Sequence, residues 1–233
     1  MKTLNEDYPL FPVAEIESIQ DLLRHSGGRF ADKLALEDLA ATPIPRLTYR
    51  QLYEQAVRFG RALGKLHLVP GEHVAIIGEN RVQWTLAYLA CHAFGYVIVP
   101  IDKSLQENEV LTVLHASDAK AVIFSEHYRD SVLTLASAVK GLKVFIDMDL
   151  PTADGKVHSM PEMIAAETAP LGDAPFPKID PDAMAVIGFT SGAMGRAKGV
   201  MLSQRNLAAN LRGMLAMIKL LPEDRFLSVL PIH

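Results

Sequence analysis

The sequence predicts an α/β fold, with alternating βαβ units forming a largely parallel sheet and helices on both faces. Two observations carry this. Runs of about four consecutive apolar residues recur along the chain, as strands buried on both faces require. Between them lie longer segments whose apolar residues return every three or four positions, the period of an amphipathic helix. Strands and helices that alternate in this way close right-handed crossovers, and so a parallel sheet.

The elements follow in order. Ile16, Ile19, Leu22 and Leu23 suit one face of a first helix. Thr48-Tyr49-Arg50-Gln51 reads as a capping box, and Leu52, Ala56, Phe59, Leu63 and Leu66 form the stripe of the helix behind it. Pro70-Gly71 then turns the chain into the strand Val74-Ala75-Ile76-Ile77. Asn80 is placed to cap a helix carrying Trp84, Ala87, Tyr88 and Cys91, with Gly95 at its end. Tyr96-Val97-Ile98-Val99 is the next strand, closed by Pro100. Ser104-Leu105-Gln106-Glu107 reads as another capping box before Val110, Val113 and Leu114. Ala121-Val122-Ile123-Phe124 follows as a strand, then a helix with Val132, Leu135, Ala136 and Val139, then the strand Val144-Phe145-Ile146.

From Asp147 to Pro181 six prolines interrupt the pattern, and only Ser159 to Ala166 suggests a short helix. This divides the chain into a first α/β subdomain over residues 1–180, with the proline-rich connection at 147–181, and a segment over 181–233 that begins the next. In that second segment Ala183 to Phe189 reads as a strand and Val200-Met201-Leu202 as another. Ser203 caps a helix with Leu207, Leu211, Met214, Ile218 and Leu221 on one side, and Phe226 to Leu230 starts a further strand.

Composition narrows the function. The chain has 233 residues, 49% hydrophobic and 21% charged, the profile of a globular domain that buries roughly 70% of its unfolded surface. A net charge of −4 argues against nucleic acid as a partner. Cys91 is the one cysteine, so an internal disulfide is excluded and a cytoplasmic location is expected. The acidic start and the short apolar run from Tyr88 to Ile101 match neither a secretory signal nor a membrane span; peripheral membrane contact stays open. His67, His73, His92, His115 and His127 lack metal-ligand spacing, so no metal site is assigned. Trp84 and Cys91 read as packing.

The most informative stretch is Thr190-Ser191-Gly192-Ala193-Met194-Gly195-Arg196-Ala197-Lys198-Gly199. Its three glycines let backbone amides approach a ligand closely, and the hydroxyls of Thr190 and Ser191 with the Lys198 ammonium suit a polyphosphate. It has neither the Walker spacing nor the G-x-G-x-x-G spacing of dinucleotide folds. By chemistry alone it reads equally well as a glycine-rich turn with Lys198 solvated.

This stretch resembles the phosphate loop of the adenylate-forming superfamily, which includes acyl-CoA synthetases, luciferases and peptide-synthetase adenylation domains. The usual form reads Thr-Ser-Gly-Thr-Thr-Gly-x-Pro-Lys-Gly-Val, and Thr190, Ser191, Gly192, Gly195, Lys198, Gly199 and Val200 fit it. The continuation through Asn206, the block Leu47 to Leu52, the block Ala93 to Asp102 and the segment Leu230-Pro231-Ile232-His233 are also similar to family blocks, in the right order. The last is in a form typical of long-chain fatty-acyl-CoA synthetases. The resemblance implies ATP, Mg2+ and CoA as cofactors and a fatty acid or other carboxylate as substrate. It implies that Thr190, Ser191, Gly192, Gly195, Lys198 and Gly199 hold the β- and γ-phosphates while a carboxylate attacks the α-phosphate. His233 would lie beside the acyl and adenylate site.

The departures are specific. Ala193 and Met194 stand where the family has hydroxyl residues, and Ala197 stands in place of proline. Each missing hydroxyl removes a hydrogen bond to a phosphate worth about 1.5–3 kcal/mol. No counterpart of the family's later adenine, ribose and magnesium blocks precedes His233, so the chain reads as an incomplete amino-terminal domain, inactive alone. Two rivals stand beside that expectation. One is a non-catalytic nucleotide- or partner-binding module with a degenerate loop, and the other an adenylating enzyme whose acceptor is an acyl-carrier protein.

Overall fold

A computed structural model describes residues 10–172, 175–190 and 198–230. Its centre is a seven-stranded sheet. The strands are β3 (His73–Ile77), β4 (Val97–Pro100), β5 (Ala121–Phe124), β6 (Val144–Asp147), β7 (Val157–Ser159), β8 (Met184–Thr190) and β9 (Lys198–Ser203), in the spatial order β7-β6-β5-β3-β4-β8-β9. Every neighbouring pair is parallel except β8 and β9. A separate hairpin joins β1 (Leu34–Glu37) to β2 (Arg46–Thr48).

Alternation along the strands explains the helices on both faces. Val74, Ile76, Ile98, Ile123 and Ile146 point to one side, beneath α1 (Ile19–Arg29), α2 (Tyr49–Lys65), α3 (Val82–Ala93) and α6 (Met160–Ala166). Ala75, Ile77, Val97, Val99, Val122 and Phe124 point to the other, beneath α4 (Glu107–Ala116) and α5 (Arg129–Ala136). Strands buried on both faces have no polar alternation, which is why they appear in the sequence as unbroken apolar runs. No helix among the described residues is long and apolar enough to cross a membrane.

Local chemistry places most boundaries. The Thr48 hydroxyl accepts from the Gln51 amide at 3.2 Å, and the Gln51 side chain accepts from the Thr48 amide at 2.9 Å, completing the expected box at the start of α2. Gly95 takes φ +77° just after α3, a conformation that suits glycine, and its amide returns to the His92 carbonyl. Cys91 is buried, and burial pushes its thiol pKa up.

Three expectations are corrected. Asn80 is not the cap of α3: Arg81 holds that position, while the Asn80 amide donates to the Leu230 carbonyl. The box before α4 lies two residues later than expected, because the Ser104 amide and hydroxyl are both spent on the Asp102 carboxylate at 2.8 and 2.7 Å. Gln106 and Glu109 form the box instead. Residues 226–230 form no strand, and Phe226, Leu227, Val229 and Leu230 are 74–77% exposed.

The proline-rich connection is packed onto the first layer. Phe176 is buried and meets Phe94 and Tyr53 edge-on, and Arg61 of α2 donates to the carbonyls of Pro170 and Leu171 at 3.1 and 2.9 Å. Beyond it the chain rejoins the sheet through the pairing of Val186 with Ile98.

Candidate phosphate-binding site

Strand β8 starts in the core, where Ala185, Val186 and Ile187 are buried, and runs outward to exposed Thr190. Residues 191–197 connect it to β9 and lie outside the described residues, so the expectations for Ser191, Gly192, Gly195, Ala193 and Met194 fall there, as does that for His233. Thr190, Lys198 and Gly199 are described, and the antiparallel ladder brings them together. Thr190 pairs with Lys198, and Phe189 with Gly199.

Residues directly opposite in an antiparallel pair share a face, with Cβ atoms about 5 Å apart. The Thr190 and Lys198 side chains therefore leave the same face of the hairpin at the mouth of the loop. On the same face, two residues back along β8, Gly188 leaves open ground: a Cβ there would meet nothing within 4 Å. Gly199 is required for packing on the opposite face. A Cβ at that position would come within 2.9 Å of the Ile187 side chain, and the Phe189 ring lies next to it at 3.6 Å. A donor hydroxyl, a cation and an open, glycine-lined face suit an anionic, oxygen-rich ligand.

Past β9, Ser203 caps α7 (Gln204–Met217): its hydroxyl accepts from the Asn206 amide at 3.2 Å, and the Asn206 side chain accepts from the Ser203 amide at 3.0 Å. Arg205 donates twice to Asp182, at 2.6 and 3.1 Å, joining the exit of β9 to the entry of β8. The guanidinium holds the Asp182 carboxyl below the usual carboxylate range. Behind this pair lies a polar group that the sequence did not disclose, formed by Gln20, His92 and Gln204, all nearly fully buried. A glutamine in the first turn of a helix and a histidine in an apolar stripe have no spacing that marks them as partners. Among the described residues, no group of three histidine, cysteine or acidic side chains could hold a metal ion.

The family model described as AMP-binding enzyme matches residues 23–233, which includes the whole hairpin and its loop. The chain belongs to this family. The chain is 28% identical over 240 residues to a chloroplastic long-chain-fatty-acid–(acyl-carrier-protein) ligase of Arabidopsis thaliana, a match covering 94% of this chain and 32% of that protein. It is 28% identical over 209 residues to long-chain-fatty-acid–CoA ligase 5 of Rattus norvegicus, covering 82% of this chain and 30% of that one. The solved structure of a long-chain-fatty-acid–CoA ligase from Archaeoglobus fulgidus shares the fold with a TM-score of 0.75, at 21% identity, over 90% of this chain and 40% of that one. The chain thus spans about a third of the length of the curated relatives it matches. It is part of an adenylate-forming acyl ligase family, with the mostly parallel α/β sheet of those enzymes.

Proposed function

We propose that this chain carries the phosphate-binding loop of an ATP-dependent acyl-CoA synthetase acting on a fatty carboxylate. The observation that carries the reading is the hairpin, which sets Thr190 opposite Lys198 at the mouth of a family-type loop. In the reaction a carboxylate oxygen attacks the α-phosphorus of MgATP, and the bond to the bridging oxygen breaks to release pyrophosphate. The thiol of CoA then attacks the acyl carbon and AMP leaves. Thr190, Ser191 and the glycine amides donate to β- and γ-phosphate oxygens, and Lys198 offsets the charge that builds on the departing pyrophosphate. Magnesium arrives with the nucleotide, since a hard cation of this kind is commonly held by phosphates and water with few protein ligands. Cys91, reduced and buried, suits a cytoplasmic setting.

The chain itself supplies the phosphate cradle rather than the complete reaction. Joined in frame to the remaining two-thirds of a relative, it should support fatty-acid-dependent ATP–pyrophosphate exchange. Lys198→Ala should lower that exchange about 100- to 1,000-fold, the usual effect of removing one group that stabilises developing charge. Exchange at the wild-type rate in Lys198→Ala would remove the assigned role. The Arabidopsis relative, named as an acyl-carrier-protein ligase, motivates a second reading of the acceptor. Acyl transfer to holo-acyl-carrier protein with none to CoA would favour it.

A further inference from the structure

We propose that Gln204, with Gln20 beside it, is a positioning residue for the phosphate loop: the two side chains fasten the exit and the entry of the β8–β9 hairpin to the carboxyl end of α3. This rests on the reading of residues 190–199 as a phosphate loop.

The hairpin needs such an anchor. Four of the six residues of β9 are exposed, so the strand gains little from apolar burial. Its neighbour β8 is registered to the rest of the parallel sheet through one residue pair, Val186 with Ile98. The Arg205–Asp182 pair at the hairpin base is solvent-exposed, and exposed ion pairs hold weakly. A strand rises about 3.3 Å per residue, so rotation at its base is carried outward to Thr190 and Lys198.

Gln204 is the first buried residue after β9, at 3% exposure. Its carbonyl oxygen accepts from the Ile19 amide of α1 at 3.0 Å. Its amide donates to the His92 carbonyl at 3.0 Å and faces His92 Nδ1 at 3.2 Å. Gln20 of α1 completes the arrangement, donating to the Ala93 carbonyl at 2.8 Å and to the Pro177 carbonyl at 2.9 Å, on the segment that leads into β8. The carbonyls of His92 and Ala93 belong to the last turn of α3; that of His92 also accepts from the Gly95 amide, and the glutamine side chains give each carbonyl a tertiary donor. Two buried amides therefore bond to one helix end and fix both ends of one hairpin. A hydrogen bond here is directional, which an apolar contact is not, so it fixes orientation as well as depth.

The test is hydrogen exchange on the whole chain, wild type beside Gln204→Met, which keeps the volume and removes all three contacts. The β9 amides that bond to β8 should exchange roughly 10- to 100-fold faster, while those of β3 and β5 keep their protection. Unchanged β9 protection would overturn the proposal, and so would a loss shared equally by β3 and β5, the result for a residue that only fills the core. Should Gln204→Met fail to fold, Gln204→Asn, too short to reach both α1 and α3, is expected to show the same local loss. Magnesium pyrophosphate supplies the second readout. Wild type should bind it, and Gln204→Met should bind it about tenfold more weakly; equal affinity would overturn the positioning role. No binding by wild type would count against the phosphate-loop reading instead, while exchange would still decide whether Gln204 orders the hairpin.

Discussion

Lowering the pH from neutrality is expected to remove stability through His92, at a slope of about 1.4 kcal/mol per pH unit. The ring is fully buried, and desolvation pushes its pKa from 6.5 down to about 3. His92 Nδ1 faces the Gln204 amide, which needs an acceptor there, and Nε2 has no hydrogen-bond partner among the described residues. Tyr88 covers the ring edge-on, with centroids 4.4 Å apart. The unfolded chain takes up a proton near pH 6.5, and the folded chain does so only near pH 3. Between those values the unfolded state binds more protons, so the contribution is complete above about pH 6.5 and is lost progressively as the pH falls toward 3. Urea unfolding of wild type and His92→Asn, followed from neutrality to about pH 5, measures the difference in slope. Parallel pH profiles for the two proteins would show that His92 protonates freely when folded.

Asp147→Ala is expected to cost about 3 kcal/mol, toward the low end for breaking a buried pair because water reaches part of Arg129. Asp147 ends β6 with no exposed surface. One carboxylate oxygen accepts from the Asp149 and Leu150 amides at 2.7 and 3.0 Å, and the other accepts from Arg129 at 2.6 Å. The substitution therefore orphans two backbone amides and one cation together. Asp149, held in place by this turn, in turn meets Arg81 and the Glu126 amide, so the carboxyl ends of β3, β5 and β6 are tied through Asp147. Asp147→Asn keeps an acceptor for the two amides and should recover part of the loss. A denaturation midpoint little changed in Asp147→Ala would mean that solvent already screens the pair.

These two residues mark the limit of what could be read from the sequence. Unbroken apolar runs placed the strands β3 to β6, the three-to-four-residue period placed the helices between them, and Thr48 and Ser203 announced their helices through their own hydroxyls. The short strands β1, β2 and β7 were missed, being three or four residues long and only partly apolar. Asn80 and Ser104 were misread because a side chain able to cap is equally able to bond elsewhere, and tertiary neighbours decided the outcome. Of the candidate site, the residue types at Thr190, Lys198 and Gly199 were legible, whereas the cross-strand pairing that joins the first two was not. The buried group of Gln20, His92 and Gln204 was invisible. Its members lie far apart along the chain and meet only when α1, α3 and α7 pack.

The hairpin is expected to present a working phosphate cradle. Calorimetric titration of the whole chain with magnesium pyrophosphate, beside Lys198→Ala, tests it without calling on adenine or ribose contacts. The wild-type chain should bind, Lys198→Ala should bind at least about tenfold more weakly, and Ala193→Thr with Met194→Thr should strengthen binding. A well-folded chain that gives no heat, or that binds equally well without Lys198, would contradict it.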